Sequence, residues 1–182
     1  DTARYEFVVS AGPMSGEYSI GSLAGVPANK QFANFTEAFR MLECSGVSGP
    51  TTFKIALPES ELNEELVFPS NITGASATNT ITFTSAGTTK KVLQPTNVAV
   101  ANLDLSGCKY LVFDNIEFRA ADSYENTARI VMSSLTTSNI TFRNCKFTSR
   151  VNAETNQPDD ITNMGSYPQR LTSVLNLSAA NN

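Results

Sequence analysis

The sequence predicts an all-β chain wound as a parallel β-solenoid, with one short α-helix near its N-terminus. Three observations carry this. The phrase Leu111-Val112-Phe113-Asp114-Asn115-Ile116-Glu117-Phe118 returns as Ile140-Thr141-Phe142-Arg143-Asn144-Cys145-Lys146-Phe147, and a shorter copy, Ile81-Thr82-Phe83-Thr84-Ser85, precedes both. The aligned phenylalanines are evenly spaced: Phe113 follows Phe83 by 30 residues, and Phe142 follows Phe113 by 29. Each copy alternates apolar and polar side chains, the period of a half-buried strand. A strand-based repeat of this length marks a solenoid, because one coil cannot bury its apolar face without neighbours above and below.

Within each phrase, Leu111 and Phe113 face one way and Val112 and Asp114 the other, with Ile140, Phe142, Thr141 and Arg143 in the matching places. The apolar set resumes at Ile116 and Phe118, and at Cys145 and Phe147. Asn115 and Asn144 therefore sit at a bend, a geometry Asn tolerates. Stacked at about 4.8 Å, they are expected to bond as an amide ladder. The alternative is two unrelated turns. A second strand leads into each phrase, at residues 102–105 and 129–132, with a third version at 173–177. One coil is thus two or three short strands joined by bends.

Residues 1–32 read as an N-terminal strand and turn segment. Tyr5-Glu6-Phe7-Val8-Val9 alternates, turns follow at Gly12-Pro13, Gly16, Gly21 and Gly25, and Tyr18-Ser19-Ile20-Gly21 adds a short strand. Residues 33–46 read as the helix. Phe35, Ala38, Phe39 and Leu42 form one apolar stripe, Asn34 is the N-cap with Glu37 in the capping-box position, and Gly46 ends it. Lying before the first coil, this helix would cap the open end of the solenoid, where strand edges and core side chains need cover. Residues 47–182 read as the coils. They begin with an alternating strand at 52–57, a second strand at 62–68 and a loop around Gly74. The pattern breaks at 151–169, a polar insertion with Pro158, Asp159-Asp160, Gly165 and Pro168, and surface insertions of this length often carry function. Strand character returns at 171–177. The next phrase is due near Asn182, so the expectation is a chain cut in mid-coil. Further coils of the same chain, or another subunit, would then cover its C-terminal edge.

The chain has 182 residues, a net charge of −4 and a pI near 4.8. That balance argues against nucleic acid or an anionic membrane, both of which reward clustered Lys and Arg. The one basic pair, Lys90-Lys91, reads as a solvated turn. No apolar run approaches the length of a membrane span. Plentiful Ser, Thr and Asn with few charges suit a secreted β protein, and the start at Asp1 reads as trimming from such a precursor. Of the three cysteines, Cys145 takes the inward slot that Ile116 fills one coil earlier and reads as a small core residue. A Cys44–Cys108 disulfide is the alternative to free thiols at those two positions, and no spacing suggests zinc.

At Tyr18-Ser19-Ile20-Gly21, Phe35-Thr36-Glu37-Ala38, Gly46-Val47-Ser48-Gly49-Pro50, Thr52-Phe53-Lys54-Ile55 and Asn79-Thr80-Ile81-Thr82-Phe83, the sequence resembles a known type. It is similar to the large secreted surface proteins of Bacteroidota whose N-terminal part is a right-handed parallel β-helix of the pectin-lyase-like kind. Many of these are type IX secretion cargo, and the group includes adhesins. The resemblance covers roughly residues 17 to 150. It implies a right-handed β-helix and an extracellular or cell-surface location, while the fold itself hosts lyases, hydrolases, esterases, tailspikes and adhesins alike. One departure is that Leu62-Asn63-Glu64 stands where relatives often carry Gly-x-Tyr-x-Glu, so an aromatic held by that segment is lost here.

Residues with catalytic potential are few. There is no histidine, which removes His-dependent triads and His metal sites. A pectate-lyase-type site needs stacked carboxylates for calcium and a basic residue. The stacked outward positions are instead Thr84, Asp114 and Arg143, one acid beside one base, which reads as a surface ion pair. Asp159-Asp160 resembles the paired aspartates of polygalacturonase-like glycosidases, but the companion Gly-His-Gly cannot exist. Solvated acids, calcium ligands and catalytic acids all remain open readings for that pair. Glu59, Glu61, Glu64 and Glu65 read as a solvated acidic face. Asn34, Asn71, Asn139 and Asn176 match the N-glycosylation pattern, as chance alone supplies in a chain so rich in Asn and Thr. No catalytic residue, metal ligand or cofactor is assigned. The expected function is a non-catalytic β-helix segment of a large secreted or cell-surface protein, an adhesin or spacer making glycan or protein contacts. The alternative is a polysaccharide lyase or hydrolase whose catalytic coils lie beyond residue 182, and a third reading is a tailspike-like trimer.

Overall fold

A computed structural model of the chain describes residues 12–58, 66–94, 103–119, 130–131, 136–148 and 175–176. These build a mostly-β structure of parallel sheets with one α-helix. In chain order the elements are β1 (Met14–Ile20), β2 (Gln31–Phe32), α1 (Phe35–Ser45), β3 (Val47–Ile55), β4 (Leu66–Val67), β5 (Ile81–Ser85), β6 (Lys91–Leu93), β7 (Leu103–Asp104), β8 (Lys109–Asp114), β9 (Ile116–Arg119), β10 (Ile130–Val131), β11 (Ser138–Arg143), β12 (Lys146–Thr148) and β13 (Leu175–Asn176).

The strands fall into three sheets, ordered β11-β8-β5-β3-β1-β2, β13-β10-β7-β4 and β12-β9-β6. Every pairing among them is parallel. From β5 onward the chain visits the first, third and second sheets in turn, three times over. Parallel neighbours need a long crossover, and here the crossover is the rest of the repeat.

The register is the one the phenylalanine spacing predicts. Phe83 pairs with Phe113 and Phe113 with Phe142. Their rings stack, with centroids 5.9 Å apart for the first pair and 5.1 Å for the second. The stack also runs further towards the N-terminus than the sequence suggested. Phe53 lies in register with Phe83, 4.9 Å away and tilted by 8°, and Tyr18 stacks on Phe53 at 5.6 Å. This copy is harder to read because Thr51 stands where Ile81 and Leu111 stand later. Thr51 is nevertheless buried, and its hydroxyl donates to the Gly49 and Met14 carbonyls. A second, shorter stack joins Phe118 to Phe147 at 5.3 Å. Phe68 meets Phe83 and Phe113 edge-on, so the two kinds of ring contact interlock.

The helix forms as its stripe and caps predict. Phe35, Ala38 and Leu42 are buried. The Glu37 amide donates to Asn34 Oδ1 at 2.9 Å, and the Glu37 carboxylate accepts from the Ala33 amide at 2.8 Å. Gly46 closes the helix with φ 62°, its amide donating to the Leu42 carbonyl. A side chain there would also strike the Thr73 backbone, 2.5 Å from the position of a Cβ. The helix does not precede the first strands of the sheet, however. β1 and β2 come before it and extend the sheet beyond β3, because Tyr18 and Ile20 continue the inward face set by Phe53 and Ile55. Its Phe39 ring reaches in beside Phe68 and Phe83, at 4.5 and 6.1 Å.

The two bends hold as predicted, but the amide ladder does not. Asn115 and Asn144 both adopt left-handed backbone, at φ 55° and 52°, yet their side chains do not bond each other. Asn144 Nδ2 donates to Asp114 Oδ1, and Asn115 Nδ2 to the Gly87 carbonyl. A carboxylate and a backbone carbonyl are better acceptors than a neighbouring amide already in use. A second matched pair also takes left-handed backbone, Tyr110 at φ 57° and Asn139 at φ 56°. For a residue as bulky as tyrosine that conformation is strained.

Replacing Phe113 by Ala is expected to cost about 3–5 kcal/mol in urea unfolding, and Phe142 by Ala roughly half as much because Phe142 is half-buried. Equal losses would contradict the half-burial of Phe142. Tyr110→Asn is expected to stabilise the chain by about 0.5–1 kcal/mol in the same assay, since Asn adopts this backbone at little cost.

Candidate functional site

The densest polar chemistry among the described residues lies at the bend joining β8 to β9 and its counterpart joining β11 to β12. It arises because the outward positions of adjacent repeats stack in parallel register. Arg143 lies over Asp114 and Lys146 over Glu117. Arg143 bonds Asp114 Oδ2 at 3.0 Å. Glu117 is 7% exposed although it points outward, and three groups account for its tolerance. Oε1 accepts from Arg119 at 2.8 Å and from the Thr148 hydroxyl at 3.0 Å, and Oε2 from Lys146 at 3.3 Å.

These contacts set the protonation of the acids. Burial by itself would raise the Glu117 carboxyl, but the hydrogen bonds from Arg119, Thr148 and Lys146 and the Arg119 charge outweigh it and hold the group below the usual glutamate range. Burial pushes Asp114 the same way, and its bonds to Asn144 and Arg143, with the charges of Arg143 and Lys90, lower it overall. Both acids therefore stay ionised and occupied by cations, which suits binding and stability better than proton transfer. Arg143 is largely exposed, so the Asp114 pair contributes under about 1 kcal/mol. The same holds for Glu17 and Lys54, paired at 2.7 Å across β1 and β3.

A groove of about 500 Å³ runs between α1 and the segment around β4. Phe35, Phe39, Leu66 and Phe68 supply its apolar walls, and Thr36, Arg40, Glu43 and Ser70 its polar ones. Val67 on its margin is 60% exposed, the one large hydrophobic so exposed among the described residues. The sequence puts Phe39 in the apolar stripe of the helix and gives Val67 no role. The signal is Leu66-Val67, adjacent apolar residues that a short strand turns to opposite faces, one buried and one exposed.

The other sequence candidates separate cleanly. Thr84, Asp114 and Arg143 are brought into one ladder, as read. Cys44, Cys108 and Cys145 are free thiols, so the Cys44–Cys108 disulfide does not form. Cys108 is buried with Sγ directed at the Phe68 and Pro69 carbonyls, and burial, helped by the Asp104 charge, pushes its thiol up to about 12. Cys145 packs against the core as predicted. Asn71 and Asn139 are exposed, while Asn34 is occupied as the helix cap. Glu59, Glu61, Glu64, Glu65, the Asp159-Asp160 pair and the 151–169 insertion lie outside the described residues, as does the Tyr5–Val9 stretch. Among the described residues no three metal-ligating side chains gather, and no helix is long and apolar enough to cross a membrane.

Comparison with family models, with curated proteins and with solved structures gives no match to this chain. What defines it is its own architecture, a mostly-β chain of parallel sheets with one helix packed beside them.

The Glu117 cluster makes a pH test. A carboxyl lowered by folding contributes its full stabilisation above its ordinary pKa, and loses it as pH falls through the lower folded value. The stability gap between wild type and Glu117→Gln is therefore expected to be widest near neutral pH and to close on acidification, read from urea midpoints across the acid range. A gap independent of pH would contradict the assignment.

Proposed function

We propose that the chain is a segment of right-handed parallel β-helix from a large secreted or cell-surface protein, adhesin-like and of the Bacteroidota type IX cargo kind, which binds glycan without chemically altering it. The observation that carries the architectural half is the ring stack Tyr18, Phe53, Phe83, Phe113 and Phe142, held in one parallel register. The chain's return to the same three sheets in the same order supports this reading. Right-handedness follows the general rule for parallel crossovers.

The functional half is supported by where the carboxylates are spent. Three acids on the strands, Glu17, Asp114 and Glu117, each face a cation at bonding distance, and Asp104 accepts from the Ser106 amide. Such paired groups keep a surface rigid and polar. The groove beside α1 offers a sugar ring one half-buried aromatic, Phe39, and the exposed Val67, flanked by Thr36, Arg40, Glu43 and Ser70. A stiff spacer bearing one such groove is an adhesive element.

The test is retention of the 182-residue chain on immobilised extracellular polysaccharides, with the polymer's length followed in the same sample. Binding weakened at least tenfold by Val67→Asp, with no shortening of the polymer, is the expected result. Depolymerisation or new unsaturated ends would replace this reading with a lyase or hydrolase, and retention on no glycan would remove the adhesive role.

A further inference from the structure

Two ladders end at the same edge. Among the described residues no strand follows β11 in its sheet or β12 in its own, whereas the remaining sheet goes on to β13. Core slots closed in the preceding repeat are open here. Phe113, Phe118 and Ile116 are fully buried, while Phe142, Phe147 and Cys145 in the same slots are only partly so. The last two members of each ladder are opposite in charge, Asp114 then Arg143 and Glu117 then Lys146. The Arg143 and Lys146 side chains are 60% and 56% exposed, and the acids they bond sit on the β8–β9 side.

We propose that the β11–β12 edge is the docking face for a parallel strand pair, supplied from outside residues 1–182, that is acidic and bears phenylalanines. The strand pair places rings over Phe142 and Phe147 and carboxylates over Arg143 and Lys146. The chain itself holds the template. The phrase Phe113-Asp114-Asn115-Ile116-Glu117-Phe118 meets all four requirements on the opposite side of the same two strands. A parallel strand can take the same kind of neighbour on both sides, because its two rows of backbone groups are equivalent in kind. Residues 149–182 contain no phenylalanine and so do not repeat that phrase. In a second copy of the chain the acidic phrase is itself buried between neighbouring strands. Strand addition draws its affinity from the backbone and its selectivity from alternate side chains, here two rings and two charges. The inference rests on the parallel register and not on the adhesive role.

The experiment uses the full 182-residue chain and a synthetic peptide of the sequence Leu111–Phe118, followed by fluorescence anisotropy. Saturable binding is expected. It should weaken at least tenfold when the peptide's Asp and Glu are replaced by Asn and Gln, and at least tenfold for the Arg143→Gln/Lys146→Gln chain, whose melting is checked against wild type. If that chain does not fold, the pair of peptides on the wild-type chain still decides. Absence of binding, or equal binding of both peptides, would overturn the proposal. A wild-type dimer that dissociates on Phe147→Ala would also overturn it, by assigning the edge to a second copy.

Discussion

Aromatic rings stacked in parallel register are the constraint on which this structure depends. In a parallel sheet, equivalent residues of successive repeats come to lie about one strand spacing apart. A ring at one slot therefore dictates a ring, or something of its volume, at the next. Phe53, Phe83 and Phe113 satisfy that demand at no more than 1% exposure each, and Phe68, entering from another sheet, meets two of them edge-on. Offset and edge-on contacts are the favoured geometries for such rings. A slip of one residue would turn every ring to solvent, so the stack fixes the register of the sheets.

The same register organises the polar face. Because Asp114 and Arg143 occupy one outward slot in consecutive repeats, as do Glu117 and Lys146, Asp114 is neutralised by the next repeat, and Glu117 both by the next repeat and by Arg119 two residues on. That arrangement consumes the carboxylates available near the bends. It leaves the groove beside α1 as the surface where apolar and polar groups lie exposed together.

How much of this could be read from the sequence depended on whether a feature was repeated. Phe83, Phe113 and Phe142 were legible because three copies agree, and the Asp114–Arg143 pair followed by counting. The helix was legible because its stripe and caps are local signals. The Phe53 copy was not recognised as part of the stack because Thr51 breaks the apolar pattern, its hydroxyl bonded to carbonyls that only the folded chain brings near. Placing β1 and β2 in the first sheet requires knowing that the chain leaves it and returns after the helix, which no local pattern encodes. The groove was missed because Phe39 and Phe68 are typical core residues. Only their closeness to an exposed Val67 marks a surface.

The most direct measurement of the central claim is a set of proton–proton distances between selectively labelled phenylalanine rings in solution. Cross-peaks joining Phe83 to Phe113 and Phe113 to Phe142, with none joining Phe83 to Phe142, are the result this account requires. A Phe113 ring with no aromatic neighbour, or in contact with solvent, would contradict it.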